Sequence, residues 1–247
     1  MPVSTNTLFH FTRSVHDLIN ILKFNFRPHH SLEDYNVILP GVTETPLDVL
    51  ELAIPMVSFC DIPLSSVGEH TEKYGSYAIG LTKDWGKKNS LSPVLYTHGA
   101  SLIAKSIWRL FDKTAELDED SQNDFHTILR FLKPCDGNLW RGERVTRNIN
   151  FYNEREWRYV PEGHNELLSK VAYSNDDTRN IENRKLWDKY SVGFTPNDVR
   201  YLIVENEEEI LPFLREIEVL KGSKYSMDEV KILTTRIISY EGIRSDF

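Results

Sequence analysis

The chain has 247 residues, a formal net charge of -8 and an apolar fraction of 40%, with 11% aromatic residues. That is enough apolar material for a substantial core, which excludes a disordered chain, and the acidic balance excludes a protein that coats nucleic acid through bulk electrostatics. Two cysteines, Cys60 and Cys135, stand without Cys-x-x-Cys spacing, which excludes a disulfide framework and a cysteine zinc centre.

From the amino end, Asn6 to Thr12 reads as a first strand, and Ser14 caps a helix whose apolar positions Val15, Leu18, Ile19 and Leu22 recur at helical spacing. Phe26 to Pro55, with Pro28, Pro40, Gly41 and Pro46, lacks periodicity and is predicted to be a long loop, placed as a lid would be. Ile54 to Asp61 is the next strand; Pro63 opens a short helix through Tyr74, Ser76 to Leu81 is another strand, and Ser92 to His98 a further one.

From Ala100 to Leu132 the period is helical. Leu102, Ile103, Ile107, Leu110 and Phe111 form one apolar stripe, and Phe125, Ile128, Leu129 and Leu132 form a second beyond the acidic break Glu116 to Asp120. The two helices are expected as an insertion, about residues 100–133, in a single domain of residues 1–247. Ser174 to Arg184 is a polar stretch, and Val199 to Val204 a buried strand. Asn206 with Glu209 makes a capping box for a helix through Leu220, and Lys231 to Tyr240 is read as the last strand. Mixed strands with early and middle helices predict an α+β fold with mixed or antiparallel sheets.

Two features bear chemistry. The segment Phe151 to Pro161 places Glu154 and Glu156 at strand spacing, so that their side chains share a face roughly 6 to 7 Å apart, close enough to divide acid–base labour on one substrate. On a solvated edge the same acids instead pair with Arg155 or Arg158. Earlier in the chain, His10 lies in the otherwise apolar Leu8-Phe9-His10-Phe11-Thr12, with Thr12 on its own face. An imidazole and a hydroxyl pointing the same way suit ribose hydroxyls, or else a core histidine bonded to a carbonyl. Arg141, Arg144 and Arg147 either meet a phosphate or solvate a loop. No His-Glu-x-x-His spacing gathers His70, His98, Asp61 and Glu156, so no metal site is assigned.

His-x-Thr on a first strand with Glu-x-Glu on a late one resembles the ADP-ribosyltransferase fold. The resemblance implies NAD as substrate. His10 would contact the nicotinamide ribose, and the backbone at Phe11 would hold the carboxamide. Thr12 completes that strand, and an aromatic from Tyr74 or Tyr77, with His70 a turn before Tyr74, would lie against the nicotinamide. Glu156 would steady the oxocarbenium-like ribose and Glu154 would orient or deprotonate the acceptor.

Over nearly its whole length the chain also resembles the AbiGi abortive phage-infection family: in Leu8 to Thr12, Phe59 to Leu64, His70 with Tyr74-Gly75, Glu156 to Pro161, and the closing Asp246-Phe247. That resemblance implies phage defence, as the antitoxin of a two-gene system whose toxin resembles a nucleotidyltransferase. Two functions follow: an NAD-dependent ADP-ribosyltransferase acting on a macromolecule such as nucleic acid, or a non-catalytic antitoxin that neutralises a cognate toxin by binding it or by acting on its expression. The amino end has no basic region followed by an apolar one, and no run spans a bilayer, so a cytoplasmic protein without membrane contact is expected.

Overall fold

The computed structural model describes residues 5–38, 50–99, 101–141, 144–164 and 166–246. In chain order the strands are β1 (Thr7–Thr12), β2 (His29–Asp34), β3 (Glu51–Cys60), β4 (Tyr77–Thr82), β5 (Ser92–Pro93), β6 (Leu95–Thr97), β7 (Leu132–Pro134), β8 (Asp136–Arg141), β9 (Arg144–Asn150), β10 (Glu156–Tyr159), β11 (Leu168–Ser169), β12 (Val199–Val204) and β13 (Ile237–Ser239). The helices are α1 (Val15–Phe24), α2 (Gly68–Tyr74), α3 (Lys83–Lys88), α4 (Leu102–Asp112), α5 (Glu119–Phe131), α6 (Lys170–Ser174), α7 (Asp176–Tyr190), α8 (Ile210–Gly222), α9 (Met227–Thr234) and α10 (Tyr240–Asp246). The mixture is α+β, with both parallel and antiparallel pairings.

Contacts divide the chain into two compact units: Met1–Arg27, Ser58–Leu91 and Ser191–Phe247 form the first, Pro28–Val57 and Ser92–Tyr190 the second.

In the first unit, β1 pairs antiparallel with β4 along its whole length and with β3 at Phe9 opposite Cys60. β12 pairs antiparallel with β4 and parallel with β13, the crossover being made by α8 and α9. The period-two alternation of β1 sorts its side chains. Phe9 joins Cys60, Ile62, Val67, Ala78, Ile203 and Ile243 in one core. Leu8 and His10 face the other way, where Phe26, Phe59 and Trp85 meet edge to face or tilted. Ser14 caps α1 by accepting from the Asp17 amide, and Leu18 and Leu22 are the helix's buried positions. The buried Lys221 ammonium donates to the Leu22 carbonyl in the last turn of α1, and burial pushes its pKa down to about 8.

Gly75 ends α2 at φ 108, and a Cβ there would stand 2.1 Å from the Thr12 carbonyl oxygen. Only glycine permits both this backbone conformation and that approach.

In the second unit, β2 and β11 both pair antiparallel with β3, and β6 pairs parallel with β7 across the connection formed by α4 and α5. Tyr35, Ile38, Leu50, Ile54, Met56, Ala104, Ile107, Phe125, Leu129 and Leu132 make its core.

Several elements depart from the sequence reading. The expected loop from Phe26 to Pro55 contains β2, a 3-10 turn at Tyr35–Val37 and the start of β3; Pro40, Gly41 and Pro46 lie outside the described residues. β2 showed no alternation because one of its buried residues is a charged acid, Glu33. The polar stretch from Ser174 to Arg184 takes in the last residue of α6 and the first part of α7, whose buried side chains are Asn183 and Leu186, too few to print an apolar stripe. The expected last strand is interrupted: Ser226 and Glu229 form a capping box that starts α9, which runs to Thr234, and only Ile237–Ser239 is strand. Ser92 to His98 breaks into β5 and β6, which bond to β10 and β7 respectively. On α4 the buried positions are Ala104 and Ile107, whereas Leu102, Ile103 and Leu110 of the expected stripe are exposed.

Candidate functional site

The segment expected as one long strand from Phe151 to Pro161 is interrupted. Tyr152–Glu154 forms a 3-10 turn, held by the Asn153 amide donating to the Asn150 side chain, and Arg155 is left-handed at φ 47 and ψ 51. The strand begins only at Glu156, so Glu154 and Glu156 do not share a strand face, although both are buried. Alternation along β10 instead puts Glu156 and Arg158 on one side, both inside.

There they enter a charge cluster of the second unit. The Arg158 guanidinium, 0% exposed, places Nε 2.7 Å from Glu156 Oε1 and donates through its terminal nitrogens to Glu33 and to the Arg130 carbonyl. Lys133 on β7 lies 3.2 Å from Glu33 Oε1 and 3.2 Å from Glu156 Oε2. Two carboxylates and two cations thus close a neutral cluster drawn from β2, β7 and β10. Burial alone would push both cations toward their neutral forms, yet Glu156 and Glu33 hold Lys133 and Arg158 above their ordinary values. The Glu156 amide donates to the Tyr96 hydroxyl at 2.8 Å, and Tyr35 donates to the Leu129 carbonyl. Burial, then Glu33, raises the Tyr35 phenol, and burial raises Tyr96, so both remain neutral donors and acceptors.

The residues expected around a dinucleotide lie in the first unit, whereas Glu154 and Glu156 lie in the second. His10 Nδ1 is 2.8 Å from the Ser58 carbonyl, so this nitrogen carries the proton and donates. His10 shares its sheet face with Thr12 and with Tyr77, which stands opposite Thr12 in register. The Thr12 hydroxyl donates to the Ser14 carbonyl, and the Tyr77 hydroxyl donates to Glu209 at 2.8 Å and Glu205 at 3.3 Å. Phe11 faces the other way and meets His70 at 4.9 Å, which meets Tyr74 at 4.5 Å. The structure therefore gathers Phe11, His70 and Tyr74 on one face and His10, Thr12 and Tyr77 on the other.

A cavity of about 510 Å³ in the first unit is lined by Thr5, Phe9, Leu64, Ser65, Arg200 and Tyr201 among others, and by none of those six aromatic, histidine and threonine candidates. Among the described residues no group of three or more His, Cys, Asp or Glu is placed to hold a metal ion. Arg144 and Arg141 lie on the hairpin of β8 and β9, but the described side chains do not include theirs. No helix among the described residues is long and apolar enough to cross a membrane.

Glu33 and Lys133 are functional-looking residues that the sequence hid. The partners of Glu33, which are Lys133 and Arg158, are 100 or more positions away in the chain, and Lys133 lies 23 positions from Glu156, so only Arg158, two positions from Glu156, carried a local signal.

The comparisons with known proteins bear on this arrangement. A family described as "Putative abortive phage resistance protein AbiGi, antitoxin" matches residues 28–205, a span that contains all four charges of the cluster. The abortive phage resistance protein AbiGi of Lactococcus lactis subsp. cremoris is 27% identical over 251 aligned residues, which cover 90% of this chain and 99% of that protein. No solved structure matches the chain. With the family match running through most of its length, this chain belongs to the AbiGi family of abortive phage resistance proteins.

Proposed function

We propose that the protein serves phage defence as a binding antitoxin, neutralising a cognate toxin without chemistry of its own. The observation that carries this reading is the position of Glu156. Both of its carboxylate oxygens are met by cations, Oε1 by Arg158 and Oε2 by Lys133, inside a cluster that is balanced and buried. A carboxylate so held spends its charge on the fold, and desolvating a substrate ribose against it would mean breaking ion pairs whose loss costs several kcal/mol. The family's description as an antitoxin points the same way. Co-expression with the cognate toxin tests the reading: growth arrest is relieved by the wild type, and equally by His10→Ala at matched levels of folded protein.

The second reading is ADP-ribosyl transfer from NAD to a macromolecular acceptor, with nucleic acid as one candidate. It is supported by the fixed tautomer of His10 and by the burial of two acids, Glu154 and Glu156. Release of nicotinamide from NAD by the purified wild type, absent without protein, would establish it over the first.

A further inference from the structure

Helix α4 presents an outward face that the described residues of its own unit leave uncovered. Ala104 and Ile107 turn to the core, with Trp108 and Phe111 packed beside them. At about 100° per residue the remaining positions fan over an arc of about 160°, in the order Lys105, Arg109, Leu102, Lys113, Ser106, Leu110, Ile103. Leu102 is 78% exposed, Ile103 61% and Leu110 46%. Lys105, Arg109 and Lys113 are exposed too, and none makes an ion pair with a described residue. Asp112, the one acid of the helix, lies at the margin of the arc. A chain of net charge -8 thus carries a basic row without ion pairs among the described residues, beside three exposed branched apolar side chains.

We propose that this face of α4 docks a partner protein whose surface offers an apolar groove rimmed by carboxylates. Under the antitoxin reading, on which this assignment rests, the partner is the toxin. Charge chooses the occupant. A second copy meeting the helix by its own α4 across a two-fold axis would oppose three cations to three cations, with a repulsion that the apolar contact does not offset. Nucleic acid would use the cations but leave Leu102, Ile103 and Leu110 against water. A lipid surface favours longer helices with broad apolar faces carrying Trp or Phe, and on α4 both aromatics turn inward. A groove that accepts Ile103 and Leu110 while acids pair with Lys105, Arg109 and Lys113 satisfies both halves of the face, in the manner of an amphipathic helix laid into a groove.

The test uses the full-length chain and the tagged toxin, with relief of growth arrest and direct binding measured separately. Three variants suffice: Leu110→Asp, the triple Lys105→Glu, Arg109→Glu, Lys113→Glu, and, as a control on α8, Leu211→Asp, itself 63% exposed. The wild type and Leu211→Asp should bind the toxin, and each α4 variant should bind at least about tenfold more weakly with unchanged thermal unfolding. Equal binding by all variants would overturn the docking face while leaving the binding-antitoxin reading intact, whereas relief of arrest by a wild type that does not bind the toxin would overturn the docking face and the binding reading together. A wild type that neither binds nor relieves arrest would defeat both. Sedimentation of the wild type with phosphatidylglycerol vesicles, lost in the α4 variants, would assign the face to a membrane and overturn the protein partner.

Discussion

Arg158 and Glu156, two residues apart on one short strand, join side chain to side chain in the interior, with Nε 2.7 Å from Oε1. Neighbours at this spacing on a half-exposed strand would pair in water and contribute little. Here Arg158 is 0% exposed, and Glu33 and Lys133 complete the balance, so each charge depends on the others being present.

The first prediction concerns Glu156→Gln. The amide keeps the shape but leaves Arg158 and Lys133 with one carboxylate between them, so the folded state should lose about 3 to 5 kcal/mol in urea unfolding. A loss below about 0.5 kcal/mol would show that the cluster carries no stability.

Removing charges in pairs should be gentler. Glu156→Gln combined with Arg158→Met leaves Glu33 and Lys133, which are 3.2 Å apart, as a neutral pair. The double variant should therefore be more stable than the sum of the two single losses implies, with a coupling energy of about 1 to 3 kcal/mol in a double-mutant cycle. Strict additivity would contradict the arrangement.

A third prediction is a pH dependence through His30. Its Nδ1 donates to Asn183 Oδ1 at 2.9 Å, and its Nε2 has no hydrogen-bond partner among the described residues. Burial holds its pKa below the ordinary 6.5; His164, whose ring is 6.4 Å away, adds to the depression, while Asn183, Glu182 and Glu166 oppose it. The unfolded chain then binds the proton first, so stability is full above pH 6.5 and falls as the pH drops through 6.5 toward the lower folded value. His164 and His126, also depressed by burial, contribute with the same sign. His30→Asn should flatten the profile between about pH 5 and 7 relative to the wild type. An unchanged slope, or stability rising with acid, would refute this.

Gly75→Ala should be disruptive out of proportion to one methyl group. Both the φ of 108 and the 2.1 Å approach to the Thr12 carbonyl forbid a Cβ. A loss of about 2 kcal/mol or more is expected, against no loss for Gly222→Ala in α8, where a Cβ meets nothing within 4 Å.

Much of the first unit was legible in the sequence because its signals are local. Ser14 before Val15, Leu18 and Leu22 gave α1 and its cap; Val199 to Val204 gave β12; Asn206 with Glu209 gave the capping box that leads into α8. The two helices about the break at Glu116 to Asp120 were likewise visible in their period, although on α4 that period did not mark the buried face, which is set by Ala104 and Ile107. What escaped depends on distant partners. β2 reads as loop because Glu33 is buried only by virtue of Arg158 and Lys133, and α7 because its contacts spare so few apolar residues. The pair Glu154 and Glu156 was visible, but not the left-handed Arg155 that breaks the strand between them, nor the distant Lys133 that converts an acid motif into a charge cluster.

The central claim is that Glu156 serves the fold and its cluster while the chain works by binding. It is tested most directly by relief of toxin growth arrest, comparing the wild type with the charge-balanced Glu156→Gln, Arg158→Met variant at equal levels of folded protein, beside a nicotinamide-release assay on the purified wild type. The account predicts equal relief from both and no nicotinamide from NAD. Loss of relief in a folded double variant, together with NAD consumption by the wild type, would contradict it.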